Sequence, residues 1–149
     1  MSRFFRFFSL IVLLSLLSLA LAACGSEASS DVPPYTGAQP ITLDQQTQDS
    51  FNASVKGIKD AKLQAYSISG DSAQIQAYYE SQYKDKGWTS RDSQIEEEAR
   101  QQQLQNGWAM AYEKGNKVVS LIFTPASSAS IHFPQAQGNN VLLVVSASK

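Results

Sequence analysis

The pattern of hydrophobic residues is clearest over residues 72–86, where it has the period of an α-helix. Four apolar or aromatic residues form this pattern: Ile75, Tyr78, Tyr79 and Tyr83. Tyr78 and Tyr79 lie three and four positions after Ile75, and Tyr83 lies four positions after Tyr79. Side chains at these spacings share one face of a helix. The pattern therefore predicts an amphipathic helix with one apolar stripe.

The residues at both ends of this segment are typical of helix termini. Asp71 or Ser72 can cap the first backbone amides of the helix. Gly87 can adopt the left-handed conformation that ends a helix, and an apolar residue after such a glycine often folds back on the last turn. We therefore expect Trp88 to contact Tyr83.

Alternating patterns elsewhere predict β-strands. The predicted strands cover residues 62–69, 88–91, 108–112, 117–124 and 140–146. Pro125 ends the fourth of these, because proline cannot donate to a strand ladder. The last strand is an almost continuous apolar run, which indicates that it is buried on both faces or lies centrally in the sheet.

Three segments are less regular. Residues 43–58 contain a weak helical pattern of apolar residues, Phe51, Val55 and Ile58. Residues 93–105 are interpreted as a helix with a capping box, or alternatively as a strand over 100–105 followed by an Asn-Gly hairpin turn. Residues 126–139 are predicted to be a long loop, in which Ile131-His132-Phe133 forms an edge strand or a mobile flap.

The order of these elements is a strand, a helix and then several strands joined by short turns. Short turns connect antiparallel neighbours, and an amphipathic helix buries its apolar stripe against a sheet. The predicted fold is therefore α+β, with two layers: an antiparallel sheet packed against one main amphipathic helix.

The first 23 residues have the layout of a secretory signal peptide. Arg3 and Arg6 precede 17 residues without charge, and small residues follow. The sequence Leu21-Ala22-Ala23-Cys24 resembles the lipobox of bacterial lipoproteins. This resemblance implies a diacylglyceryl lipid on Cys24, and a location on the extracytoplasmic side of the cell membrane or outer membrane.

Two alternatives to lipidation remain open. Ala20-Leu21-Ala22 also suits ordinary signal peptidase, which would release a soluble protein. The uncharged stretch could also stay in the membrane as an anchor, although it is shorter than the ~20 apolar residues that a spanning helix needs.

The predicted organisation has three parts: a signal peptide at 1–23, the lipidated cysteine with a flexible tether at 24–40, and one domain at 41–149. Residues 25–40 are too polar to bury much surface. We expect a disordered stalk, and docking of Tyr35 and the prolines on the domain is the alternative.

A second resemblance concerns the domain. Tyr35-Thr36-Gly37-Ala38, followed by Tyr78-Tyr79 and then Gly87-Trp88, resembles a pattern in uncharacterised small secreted bacterial lipoproteins. Those proteins have Tyr-Pro-Gly-Ala before a helix with Phe-Tyr, then Gly-Trp and antiparallel strands. Here Thr36 replaces the proline and Tyr78 the phenylalanine. The resemblance implies the fold but no activity or site residue.

Charge and cysteine content exclude several classes of partner. The chain has 12 basic and 13 acidic side chains, and the net charge becomes −3 without Arg3 and Arg6. We expect no nucleic-acid partner and no polybasic patch for anionic lipid. The single cysteine excludes an intramolecular disulfide.

Catalytic chemistry is sparse in this sequence. His132 is the only histidine, so no zinc site of the usual ligands is expected. Serines at 127, 128 and 130 lie near it, but no nucleophile elbow or glycine-rich phosphate loop occurs. The sequence therefore favours a protein that is not an enzyme and has no cofactor or metal.

Aromatic residues are the positive feature of the domain. We expect Tyr79, Tyr83 and Trp88 in the core, whereas Tyr78 and Trp108 can be core or exposed. The leading hypothesis is a non-catalytic binding or adaptor domain whose partner is another envelope protein. The alternative is a ligand-binding module for cell-wall sugars or a small solute, with Tyr78, Trp108 and His132 as candidate binding residues.

Overall fold

The computed structural model describes residues 31–91 and 107–149, which contain a six-stranded antiparallel sheet and three α-helices. The elements in chain order are β1 Gln39–Ile41, α1 Gln45–Ser54, β2 Lys59–Ile68, α2 Ser72–Asp85, β3 Thr89–Ser90, β4 Trp108–Lys114, β5 Lys117–Thr124, α3 Ala126–His132, a 3₁₀ turn Pro134–Ala136, and β6 Asn140–Ser148. The signal peptide with Cys24 and the segment 93–105 lie outside the described residues.

The strand order in the sheet is β1-β2-β6-β5-β4-β3, with every neighbouring pair antiparallel. The apolar run of β6 lies between β2 and β5, so its predicted central position is confirmed. Both edge strands are short. Short edges present few unpaired backbone groups to other chains.

Helix α2 follows the predicted pattern. Asp71 caps it by accepting hydrogen bonds from the amides of Ala73 and Gln74 at 3.0 and 3.1 Å. Gly87 has a φ of +75°, and the amide of Trp88 donates to the carbonyl of Tyr83 at 3.0 Å. This is the hydrogen bond that closes a helix after a left-handed glycine.

One face of the sheet and the stripe of α2 form the main core. The stripe contributes Ile75, Tyr79 and Tyr83, all buried. Alternate positions of four strands contribute Tyr66, Ile68, Met110, Tyr112, Val119, Leu121, Phe123, Leu142 and Val144. The ring of Tyr83 stacks on that of Tyr112, with centroids 4.3 Å apart and planes 4° apart. The ring of Trp88 contacts Tyr83 edge-on at 5.4 Å, as predicted.

The prediction of a loop over residues 126–139 is wrong. This segment forms α3 and the 3₁₀ turn, and its Ile131-His132-Phe133 is not an edge strand. Ala129 and Ala136 are buried against Val141, which points away from the main core. The small alanines allow the helical backbone to approach the strand closely, a tertiary contact that hydrophobic periodicity does not reveal.

The α+β class is therefore confirmed, with an antiparallel sheet. Described helices lie on both faces of the sheet, with α2 on one and α3 on the opposite one. The weak helix predicted over residues 43–58 is the shorter α1. It buries no residue. Among the described helices, none is long and apolar enough to cross a bilayer.

Candidate functional site

The chain from Asp31 onward lies against the domain, ten residues before the predicted boundary at residue 41. Val32 is 4% exposed and belongs to the main core. Tyr35 and Ala38 pack against the same core, and β1 pairs with residues 65–67 of β2. Residues 31–40 are thus docked on the domain. For these residues the expected disordered stalk is wrong and the alternative, docking, is confirmed.

Asp31 is the first point of attachment. Its carboxylate accepts a hydrogen bond from the indole nitrogen of Trp88 at 2.8 Å and one from Nζ of Lys114 at 3.0 Å. The donation by Trp88, and next that by Lys114, lowers the pKa of Asp31. Lys114 also donates to the carbonyl of Lys86 at 2.8 Å, which links this carboxylate to the end of α2.

Tyr78 and Tyr79 form the second point of attachment. The hydroxyl of Tyr78 donates to the carbonyls of Pro33 and Pro34 at 3.2 and 3.3 Å. The amide of Tyr35 donates to the hydroxyl oxygen of Tyr79 at 2.9 Å, and the Tyr35 and Tyr78 rings meet edge-on at 5.2 Å. Burial raises the pKa of the Tyr78 and Tyr79 phenols above the ordinary value.

Trp108 is held by contacts within the domain. Its ring stacks on Phe123 of the adjacent strand, with centroids 5.1 Å apart and planes 7° apart. Its indole nitrogen donates to the hydroxyl of Ser72, at the start of α2, at 3.1 Å. The side chain is half-buried at the margin of the main core.

The structure does not gather the three candidate binding residues into one groove. Tyr78 and Trp108 lie on the face that carries α2, and their rings contact different partners. His132 is the last residue of α3, which packs on the opposite face. The sheet therefore lies between α3 and the two aromatics. The predicted core positions of Tyr79, Tyr83 and Trp88 are confirmed.

The lysines of the described residues lie at one end of the sheet. At this end β2 begins, α2 ends, the β4–β5 hairpin turns and β6 ends. The lysines there are Lys56, Lys59, Lys62, Lys84, Lys86, Lys114, Lys117 and Lys149. We call this region the lysine end. The fold thus brings together lysines that are scattered along the sequence.

Fewer carboxylates accompany these eight lysines. Among the described residues, Asp31, Asp60, Asp85 and Glu113 lie at the lysine end, where the eight lysines and Arg91 give a local excess of five positive side chains. Glu113 accepts hydrogen bonds from Arg91 at 2.6 Å and from Lys149. These donors, Arg91 first, lower the pKa of Glu113. Ion pairs of this exposed kind contribute little to stability, so the lysines are surface features rather than part of the core.

The sheet face opposite α2 is apolar beyond the area that α3 covers. Strand alternation places five half-buried side chains on it: Leu63, Val118, Ile122, Leu143 and Val145, of which Leu143 also packs against the cluster formed by α3 and Val141. Register makes them neighbours, since Leu63 is opposite Val145 and Ile122 is opposite Leu143. We call this surface the apolar sheet face.

Within residues 31–91 and 107–149, no group of three His, Cys, Asp or Glu side chains could hold a metal ion. Comparisons with protein-family models, curated proteins and solved structures find no match for this chain. Sequence reasoning named Tyr78 and Trp108 but missed Asp31. No local signal marks Asp31, because its partners Trp88 and Lys114 are 57 and 83 positions away.

Proposed function

We propose that this protein is an extracytoplasmic lipoprotein, anchored by lipid on Cys24, whose domain is a non-catalytic adaptor for another envelope protein. The lipobox residues support the anchor. The apolar sheet face is the observation that carries the adaptor role. In this proposal the domain has two main layers, with α2 as the principal helix on one face of the sheet. Most of the other face is left for the partner.

The apolar sheet face has the composition of a protein-binding surface. Its five aliphatic side chains are contiguous across β2, β6 and β5, and none is fully buried within the chain. A contiguous apolar surface on a folded domain commonly marks a site of protein association. The centre of such interfaces is depleted of charged residues. The five positions of the apolar sheet face likewise carry no charge.

The sugar-binding alternative has less support, because the polar groups of the two aromatics are already engaged. The Tyr78 hydroxyl donates to two proline carbonyls, and the Trp108 indole donates to Ser72. A sugar would have to displace these internal hydrogen bonds before it could use either side chain as a donor.

Metabolic labelling with a clickable palmitate analogue tests the anchor. We expect the wild-type chain to be labelled and retained in the membrane fraction, and the Cys24→Ser variant to be unlabelled. A mature wild-type chain with a free thiol at Cys24 would reject the lipid anchor.

Photo-crosslinking in intact cells tests the adaptor role. A benzophenone side chain is introduced at Ile122 or Val145 on the apolar sheet face, and at Glu80 on the exposed side of α2 as the control. We expect one discrete crosslinked protein from the first two positions and none from Glu80. Absence of crosslinks at Ile122 and Val145, together with saturable shifts of the Trp108 indole signal on titration with cell-wall fragments, would favour the alternative.

A further inference from the structure

We propose that the lysine end is a membrane-binding surface, which binds the anionic phospholipid headgroups of the bilayer in which Cys24 is anchored and inserts Ile58 among them. This inference rests on the lipid anchor proposed above. It assigns the domain a fixed orientation, with the lysine end towards the bilayer and the β4 start, α3 and the 3₁₀ turn away from it.

The attachment of Asp31 determines which end of the domain is close to the lipid. Asp31 is held at the lysine end by Trp88 and Lys114. Only seven backbone steps separate it from Cys24, and these span about 25 Å at most, even when fully extended. Strand β6 has nine residues, a length of about 30 Å. The tether therefore brings the lysine end to the bilayer surface more easily than the opposite end.

The charge of this end is complementary to anionic lipid. Seven of its eight lysines are exposed, and Lys86 is half-buried. Lys114 and Lys149 form ion pairs with Asp31 and Glu113. Among the described residues, the others of the eight are in no salt bridge. Lysines next to a membrane anchor are attracted to anionic headgroups, and the attraction falls off within a Debye length.

Ile58 adds an apolar contact at the same end. It is 51% exposed and is the exposed large hydrophobic side chain of the described residues. Lys56 and Lys59 flank it, and Gly57, with a φ of +94°, allows the chain to turn between α1 and β2. An apolar side chain among lysines is the arrangement by which proteins insert into the headgroup region while their ammonium groups remain solvated.

Fluorescence quenching tests this orientation with the mature lipidated chain. Ile58→Cys is labelled with bimane and reconstituted into phosphatidylcholine vesicles with or without phosphatidylglycerol, each containing a nitroxide-labelled lipid. Gln135→Cys is the matched control, because it is exposed and lies near Ser67, roughly 25–30 Å along β2 from Ile58. Acylated Cys24 has no thiol, so only the introduced cysteine reacts with the label.

We expect strong quenching at position 58 in anionic vesicles, weaker quenching in neutral vesicles, and little at position 135 in either. Salt at ~1 M, where the Debye length is ~3 Å, should reduce the anionic value to the neutral one. The combined variant Lys56→Gln, Lys59→Gln and Lys117→Gln should do the same at low salt. Its thermal melting should be unchanged, because these lysines are exposed.

Two outcomes would overturn the proposal while the anchor stands. One is an unquenched label at position 58 in chains that remain bound to anionic vesicles through their acyl groups. The other is equal quenching at positions 58 and 135, which would show that the domain has no fixed orientation. Reaction of the wild-type chain with bimane would instead reveal a free Cys24 thiol, and the anchor and this inference would both be rejected.

Discussion

The indole nitrogen of Trp88 donates a hydrogen bond to Oδ1 of Asp31 at 2.8 Å. Trp88 also closes α2 through its backbone and packs its ring on Tyr83. Trp88 therefore connects the main core, the end of α2 and the segment that contains Asp31.

Removing the carboxylate should release the N-terminal attachment. We expect Asp31→Ala to shift the Trp88 indole signal in amide NMR spectra and to increase proteolysis within residues 31–40. The loss of unfolding free energy should be about 1 kcal/mol or less, because a half-exposed, solvent-screened pair contributes little. Asp31→Asn is the control, since its amide oxygen can still accept from Trp88. An unchanged indole signal in Asp31→Ala would contradict the prediction.

Acid should weaken the same attachment. The pKa of Asp31 is lowered in the folded state, mainly by the hydrogen bond from Trp88. Its contribution to stability is therefore full above the unfolded-state pKa of about 3.9 and is lost as pH falls through the lower folded value. The Trp88 indole shift should be constant at neutral pH and titrate only below ~4. Asp31→Asn should abolish this titration, whereas Glu113→Gln should leave it in place. A titration midpoint of the Trp88 indole shift above pH ~4 would contradict the assignment of this titration to Asp31.

Trp108 should contribute to stability through its stack on Phe123. We expect Trp108→Ala to lower the unfolding free energy by about 2 kcal/mol, less than for a fully buried tryptophan, and to lower the melting temperature by several degrees. Trp108→Phe retains an aromatic ring but loses the hydrogen bond to Ser72, which should cost about 1 kcal/mol. Unchanged melting of Trp108→Ala with loss of a ligand would instead support the sugar-binding alternative.

The two aspartate caps should differ in effect although their chemistry is the same. Asp71 caps α2, which buries three side chains, whereas Asp44 caps α1, which buries none. We expect Asp71→Ala to reduce global stability by about 1 kcal/mol. Asp44→Ala should speed amide hydrogen exchange within α1 without changing global unfolding. Equal loss of global stability in both variants would show that α1 is coupled to the core.

Individual elements were predicted correctly where interactions between residues close in sequence define them. Strand β5 has the predicted bounds, because alternation sets its faces and Pro125 stops its ladder. The end of α2 was predicted correctly from Gly87 and Trp88, since that closure involves neighbours in sequence. The segment 126–139 was predicted wrongly, because its helix is stabilised by burying Ala129 against Val141 rather than by an apolar stripe.

The candidate site residues also divide into those that a local motif identifies and those whose environment depends on tertiary contacts. The sequence identified Cys24 as a lipidation residue through a local motif, and this remains a prediction because Cys24 lies outside the described residues. It could not decide between core and surface for Tyr78 and Trp108. Their environment depends on the docking of Pro33 and Pro34 and on the stack with Phe123.

The sequence by itself determined the class of fold, the bounds of its most periodic elements and the burial of the α2 stripe. All of these follow from contacts or periodicities within a few residues of the chain. Only the tertiary structure decided that residues 31–40 dock on the domain, which face α3 covers and that the lysines share one end of the sheet. These features depend on antiparallel register and on contacts such as Asp31 with Lys114, 83 positions apart. Local pattern carries no information about such pairings, because the folding of the intervening chain sets the distance between them.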